Sequence, residues 1–195
     1  MAPSTTIYCS IYFLLLMTTS TASALSFNLS AITTDQTNRE IMIQGDAYIS
    51  TEGLQVTNNE KSSSGIQLTG RATYAEPLHL WDKATGNLTD FYTHFSFVIQ
   101  AENPNCAADG LAFFLSPLNS TIPANSSGAG LGLAPWSAAN APLMSEVPFV
   151  AVEFDTFSTS EFYDPQGPHV GIDVRSLNST VYAPWRNNLT EGDDF

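Results

Sequence analysis

The sequence predicts an all-β fold, a sandwich of two packed sheets, and three observations lead there. Eight short runs that are apolar or alternating are separated by clusters of Asn, Asp, Gly, Pro and Ser. In FYTHFSFVIQ, residues 91–100, Phe91, Thr93, Phe95, Phe97 and Ile99 fall on one face and Tyr92, His94, Ser96 and Val98 on the other, the pattern of a half-buried antiparallel strand. No segment keeps a helical period, and no internal repeat or low-complexity block interrupts the pattern. With 195 residues, 43% hydrophobic and 13% charged, the chain suits one globular domain with a sizeable core.

Taken in order, the first element lies outside the sandwich. Ile7 to Met17, IYCSIYFLLLM, is an apolar run too short to span a bilayer comfortably, and Ala22-Ser23-Ala24 has the small-x-small form of a signal-peptidase site. Residues 1–24 are therefore expected to be a cleaved secretory signal, leaving 25–195 as the domain. The strand signals then run FNLSAI, IMIQGDAYIS, GIQLTGRATYA, FYTHFSFVIQ, GLAFFLSP, PFVAVEFDTF, HVGIDV and VYAPW. His79 and His94 have no acidic or thiol company at ligand spacing and read as surface or hydrogen-bonded histidines. No later stretch is long and apolar enough to cross a membrane, so the mature chain is expected to be soluble and secreted.

Six Asn-x-Ser/Thr sequons, at Asn28, Asn87, Asn119, Asn125, Asn178 and Asn188, agree with that compartment. The net charge of -13 disfavours nucleic acid and acidic membranes as partners. Cys9 leaves with the signal, so Cys106 remains alone, either as a small buried thiol or as one half of an intermolecular bridge.

PFVAVEFDTF carries the chemistry. Ala151, Glu153, Asp155 and Phe157 share one strand face, which turns from apolar to acidic halfway along, a costly arrangement for a core strand unless a cation neutralises it. Asp164 and His169 return on the Pro-rich loop beyond. One nitrogen and three carboxylates suit a transition ion such as Mn²⁺, and the oxygen-rich surroundings suit Ca²⁺. On spacing alone, an acidic loop on the surface of an acidic protein is an equal alternative. GAGLGL, from Gly128 to Leu133, lacks the Lys and the following helix of a phosphate-cradling loop.

VAVEFDTF followed by DP and HVGIDV resembles the metal-loop signature of the legume lectin (L-type lectin) family. FNLSAI, GIQLTGRATYAEPLHLWDKATGNLTDFYTHFSFVI, ADGLAFFLSP and GLGLAP resemble that family's successive segments in their usual order, so the likeness covers nearly all of residues 25–195. It implies a jelly-roll-like β-sandwich that binds glycans or glycoproteins reversibly through a shallow, metal-supported pocket, without catalysis. In that pattern Glu153, Asp155, Asp164 and His169 hold a manganese-type ion. Asp155 and Asp164 bridge to calcium, which also takes the backbone carbonyl of Phe157 and an asparagine side chain at the position of Thr159.

On the sugar side, the resemblance implies that Asp109 accepts hydrogen bonds from two sugar hydroxyls after a cis Ala108–Asp109 peptide. It gives a backbone N–H donor at Ala129 beside Gly128. The Phe157 ring either stacks on the sugar or is a plain core aromatic.

Two departures modify these expectations. Threonine at 159 has one hydroxyl, where the family's asparagine offers a carbonyl to calcium and an amide to sugar, so one sugar hydrogen bond is expected to be lost. The family's last strands and final sugar-contacting loop are expected beyond Phe195, so the domain reads as incomplete at its C-terminus. A lectin-like defence, storage or inhibitor protein with weakened sugar binding is the alternative function. A metal-dependent hydrolase using the same four ligands lacks any positioned base or nucleophile. Sandwiches of this kind often pair through exposed sheet faces, and a homo-oligomer is carried as an open expectation.

Overall fold

The computed structural model describes residues 25–37, 39–57, 67–99, 108–135, 145–160 and 163–185. The expected signal segment, Cys106 and the Asn188 sequon lie outside those residues. Among the described residues the regular structure is β1 (Ile41–Gly45), β2 (Tyr48–Ser50), β3 (Gly53–Gln55), β4 (Gly70–Tyr74), β5 (Gly110–Leu115), β6 (Val150–Asp155), β7 (His169–Val174) and β8 (Val181–Pro184), with only short 3-10 turns besides. The all-β expectation holds. No described helix is long and apolar enough to cross a membrane.

The site-bearing sheet has the order β5-β6-β7-β8, with every neighbour antiparallel. β1 pairs with β4, and β2 with β3, as separate two-stranded ladders. In the four-stranded sheet, register stacks like residues across the strands: Phe113, Val152 and Ile172 form one row, Ala112, Glu153 and Gly171 the next. Because side chains alternate with period 2, each face of the sheet has its own chemistry.

One face carries Leu111, Phe113, Leu115, Val150, Val152, Phe154, Val170, Ile172 and Val174. Phe95 stacks on Phe113 at 5.1 Å between ring centroids, Phe97 lies 4.6 Å from Phe154, and Trp185 meets Phe154 edge-on. Val150, Ile172 and Val174 on this face stay exposed.

The opposite face is apolar at one end and ionisable at the other. Leu133, Ala134, Phe149, Ala151 and Leu177 form a buried cluster, with Ala112, Phe114, Ala129 and Leu131 packed against it. Beyond Ala151 the same face continues as Glu153 and Asp155 on β6, while on β7 His169 lies opposite Asp155 and Asp173 opposite Ala151, all buried.

Two expected strands differ in the structure. FYTHFSFVIQ forms no ladder over residues 91–99, although Phe95 and Phe97 do turn the expected face toward the sheet. FNLSAI is irregular, yet Phe27 stacks on Tyr74 of β4 at 3.9 Å. In both cases alternation reported which side chains pack, and backbone pairing, which needs a partner strand, was not part of that signal.

Candidate metal and ligand site

The site grows from the acidic end of β6. Glu153 and Asp155 project from the same face, and the ladder puts His169 directly opposite Asp155 and Gly171 opposite Glu153. One ligand atom from each of Glu153, Asp155 and His169 lies within 4.8 Å of the others. His169 Nε2 is 3.1 Å from Glu153 Oε1, with both side chains buried. Ser179 Oγ donates to Glu153 Oε1 at 2.6 Å or to Asp173 Oδ1 at 2.8 Å, tying a third buried carboxylate to the cluster.

Gly171 makes this possible. A Cβ there would collide with Ser179 Oγ and Glu153 Oε1, so only glycine leaves room for the bond between them.

The electrostatics are those of a cluster short of positive charge. Burial pushes Asp155 up to about 8; the Phe157 N–H, donating to Asp155 Oδ1 at 2.6 Å, pulls the other way, while the charges of Asp164, Glu153 and Asp109 add to the rise. Asp173 is likewise raised to about 8, by burial first and by the Glu153 charge second. Asp164 is raised mainly by burial, offset in part by the Thr159 N–H. Asp173 Oδ2 and His169 Nδ1 are buried with no protein partner. Buried carboxylates beside one imidazole, with the carboxylate charge unmatched, form a donor set that fits a divalent cation.

The loop after β6 folds back over this cluster. Asp164 stands apart from the tight group of Glu153, Asp155 and His169, with its Oδ2 accepting the Thr159 N–H at 2.7 Å. Ser158 Oγ donates to the Pro165 carbonyl at 2.8 Å, closing the loop on itself. Phe157 is 51% exposed at the loop's start, so its ring is no core aromatic.

Two further segments complete a pocket. Ala108–Asp109 is cis, as the resemblance implies, and the Asp109 carbonyl accepts both the backbone N–H and the hydroxyl of Thr156, at 2.9 and 3.0 Å. That pair fixes Asp109 beside the end of β6, where burial raises its carboxyl above the usual range. The Gly128–Gly130 turn lies against it: Gly128 has φ 63°, and a Cβ there would sit 3.3 Å from Asp109 Oδ2. Ala129 is absent from the left-handed positions, so its methyl group needs no unusual backbone.

The resulting cavity, about 520 Å³, is lined by Asp109, Gly128, Ala129, Phe157, Thr159 and Asp164, with Gln67, Gln166 and three serines around them. All four sequence-derived sugar-side residues, Asp109, Ala129, Phe157 and Thr159, thus meet in one pocket. Glu153, Asp155 and His169 lie together in the cluster, and Asp164 and Phe157 face the pocket. His79 and His94 are exposed and outside it.

Sequence reasoning missed Asp173, Gly171, Ser179 and Arg71. For the first two the signal was present, since His169, Gly171 and Asp173 follow the same period-2 face as the metal-type ligands. Ser179 could not be found this way, because it reaches the site from the turn after β7. Nor could Arg71: on β4, its guanidinium is buried, lies 4.7 Å from the Phe114 ring centroid and donates to the Gly132 carbonyl at 2.6 Å, pinning the end of the glycine loop.

Comparison with known proteins places this arrangement. The family description of the legume lectin domain matches residues 24–195. The chain is 43% identical over 175 residues to the "Lectin-related protein" of Cladrastis kentukea, covering 89% of this chain and 57% of that one. It is 43% identical over 159 residues to "Lectin 10" of Medicago truncatula, covering 80% and 54%. It therefore spans a little over half the length of these curated relatives. Among solved structures, lectin UEA-II complexed with galactose is 40% identical, with a TM-score of 0.59 over 75% of this chain and 60% of that one. A match across nearly the whole described domain, on a fold that is all strands and carries the acidic cluster at the end of β6, means that this chain belongs to the legume lectin family.

Proposed function

We propose that this chain binds glycans or glycoproteins reversibly, without catalysis, in the pocket between Asp109, the Gly128–Ala129 turn and the Phe157–Thr159 loop. The observation that carries the reading is this convergence from three separate chain segments. A half-buried carboxylate with two acceptor oxygens, backbone donors and an exposed aromatic ring are the parts needed to hold a polyhydroxylated ring with one apolar face. Asp109 accepts from two hydroxyls, the Ala129 N–H donates, and Phe157 stacks. The relative solved with galactose supports the ligand class.

The cluster would hold ions of the Mn²⁺ and Ca²⁺ type. Glu153, Asp155, Asp164 and His169 would take the manganese-type ion, and Asp155, Asp164 and the Phe157 carbonyl the calcium. Such ions supply positive charge to buried carboxylates and thereby fix the loop that carries Phe157 and Thr159. The matching relatives and solved structures are lectins by name, which supports binding rather than turnover.

The apolar run Ile7–Met17 with Ala22-Ser23-Ala24 supports secretion, and the five described sequon asparagines, Asn28, Asn87, Asn119, Asn125 and Asn178, are all exposed, as glycan attachment requires. Passage of the full chain into the medium of a eukaryotic host, with a mass that falls on N-glycanase treatment, is the expected result.

One observation favours a second reading, a lectin-like defence, storage or inhibitor protein with weak or no sugar binding. Thr159 uses its backbone N–H on Asp164, and its side chain offers no amide to a sugar. A glycan array probed with the wild-type chain and with Asp109→Asn decides between them. Binding that the Asp109 variant loses supports the lectin reading; no binding by wild type on any glycan supports the second.

A further inference from the structure

We propose that an N-glycan carried on Asn125 lies across the mouth of the pocket and screens it from glycan ligands. The inference rests on the glycan-binding reading and adds a modification that regulates the same site. Among the described sequons, Asn125-Ser126-Ser127 is the one whose hydroxyl residue stands in the pocket wall. Ser127 lines the cavity beside Gly128 and Ala129, whereas Ser30, Thr89, Thr121 and Thr180 lie outside its lining. The attachment point and the wall are two residues apart, a separation of about 7 Å in extended chain.

The backbone beside Asn125 is fixed on the pocket side and open on the other. Ser126 is buried, its Oγ donates to the Pro123 carbonyl at 2.6 Å, and its own carbonyl accepts the Gly132 N–H at 2.7 Å. Gly132 is held in turn, through its carbonyl, by the buried Arg71. Ala124 and Asn125 are exposed, and Asn125 takes φ 56°, a left-handed conformation in which asparagine is enriched. A glycan stem there rises from an anchored rim, not from a loop free to carry it away.

An N-glycan is bulky and well solvated. Tethered this close, it meets the mouth at an effective concentration on the order of millimolar, so an incoming ligand finds the pocket open only part of the time. Apparent affinity then falls by the open fraction, while the pocket itself is unaltered. The carboxylate assigned to the sugar hydroxyls stands just behind this rim: a Cβ on Gly128, three residues after Asn125, would lie 3.3 Å from Asp109 Oδ2.

The test uses the full chain secreted from a eukaryotic host and supplied with Ca²⁺ and Mn²⁺. Glycopeptide mass spectrometry reads occupancy at Asn125, and surface plasmon resonance follows binding to immobilised glycoproteins ending in galactose, N-acetylgalactosamine, mannose or fucose. Asn125→Gly removes the sequon and keeps the left-handed backbone without strain; Asn125→Asp removes it with a second side chain that tolerates that conformation. Both are expected to bind about tenfold more tightly than the glycosylated wild type, through faster association at an unchanged dissociation rate. Asn87→Gln and Asn178→Gln, which remove sequons outside the cavity lining, should leave binding as in wild type. Made in a bacterial host that adds no N-glycan, wild type and Asn125→Gly should bind alike, which separates the glycan from the asparagine side chain.

The proposal is overturned if Asn125 carries no glycan, if the glycosylated wild type associates as fast as both Asn125 variants, or if Asn87→Gln speeds association as much. It is also overturned if Asn125→Gly exceeds wild type as much in the bacterial protein as in the secreted one. Asp109→Asn separates the two levels. If it abolishes binding while the Asn125 variants change nothing, the glycan-binding reading stands and the screening falls. If no form binds any glycoprotein of the panel, both fall.

Discussion

Gly171 sits directly opposite Glu153 across the β6–β7 ladder, and its missing side chain is the space through which Ser179 Oγ reaches Glu153 Oε1 at 2.6 Å. The ladder thus orients a metal-type ligand with a hydrogen bond from a turn that no sequence spacing connects to it. Gly171→Ala is expected to push Ser179 and Glu153 apart at a cost of about 1–3 kcal/mol, as overpacking does elsewhere. Thermal unfolding with and without Mn²⁺ reads both effects: a lower Tm in the ion-free protein and a smaller rise on adding the ion. An unchanged Tm and an unchanged rise would show that the gap is not used.

Asp155 gives the ion-free protein a pH dependence of definite sign. Its carboxyl is raised from 3.8 to about 8, so between those values the folded state binds more protons than the unfolded one. Stability therefore falls as pH rises through that window. Chemical denaturation of the EDTA-treated protein from pH 5 to pH 8 should show a declining midpoint, and added divalent ion should restore it most strongly at the upper end. A midpoint that climbs over the same range contradicts the assignment.

Thr159 is the position where a single change should improve the protein. Its backbone N–H already donates to Asp164 Oδ2 at 2.7 Å, and an asparagine keeps that bond while adding a carbonyl and an amide. Thr159→Asn is expected to tighten glycan binding by about tenfold or more, from one regained hydrogen bond to a buried partner. Calorimetry on the same glycan with both proteins measures it, and wild type binding as tightly as the variant would remove Thr159 from the list of determinants.

Phe157 separates two roles that the sequence left open. At 51% exposure its ring contributes little to the core, so Phe157→Ala should change stability by no more than about 0.5 kcal/mol. Loss of stacking should weaken glycan binding several-fold, in line with about 0.5–1.5 kcal/mol for an aromatic contact. The N–H that donates to Asp155 belongs to the backbone and survives the change. Equal losses in stability and affinity would return Phe157 to the core.

How much was legible in the sequence depended on whether the signal was local. The period-2 face of β6 put Glu153 and Asp155 side by side, and the structure buries that face. Six of the eight strand signals fall on ladder strands in chain order, with IMIQGDAYIS split by a turn into β1 and β2, while β3 (Gly53–Gln55) carried no signal of its own. What the sequence withheld was non-local. Phe91 to Ile99 alternates like a strand and packs Phe95 and Phe97 on β5 and β6, yet it joins no ladder. Ser179 and Arg71 act across gaps of 26 and 61 residues, to Glu153 and Gly132, and no periodicity encodes such distances. Asp173 was readable from the same alternation as His169, four residues further along the same strand face.

The central claim is that the acidic cluster supports a glycan pocket built on Asp109, Ala129, Phe157 and Thr159. The most direct measurement follows binding of the full chain to a glycan-bearing surface before EDTA, after EDTA, and after dialysis into Ca²⁺ and Mn²⁺. The account predicts binding that disappears with the chelator and returns with the two ions. Glycan binding that persists unchanged in EDTA, in a protein shown by elemental analysis to be free of metal, would contradict it.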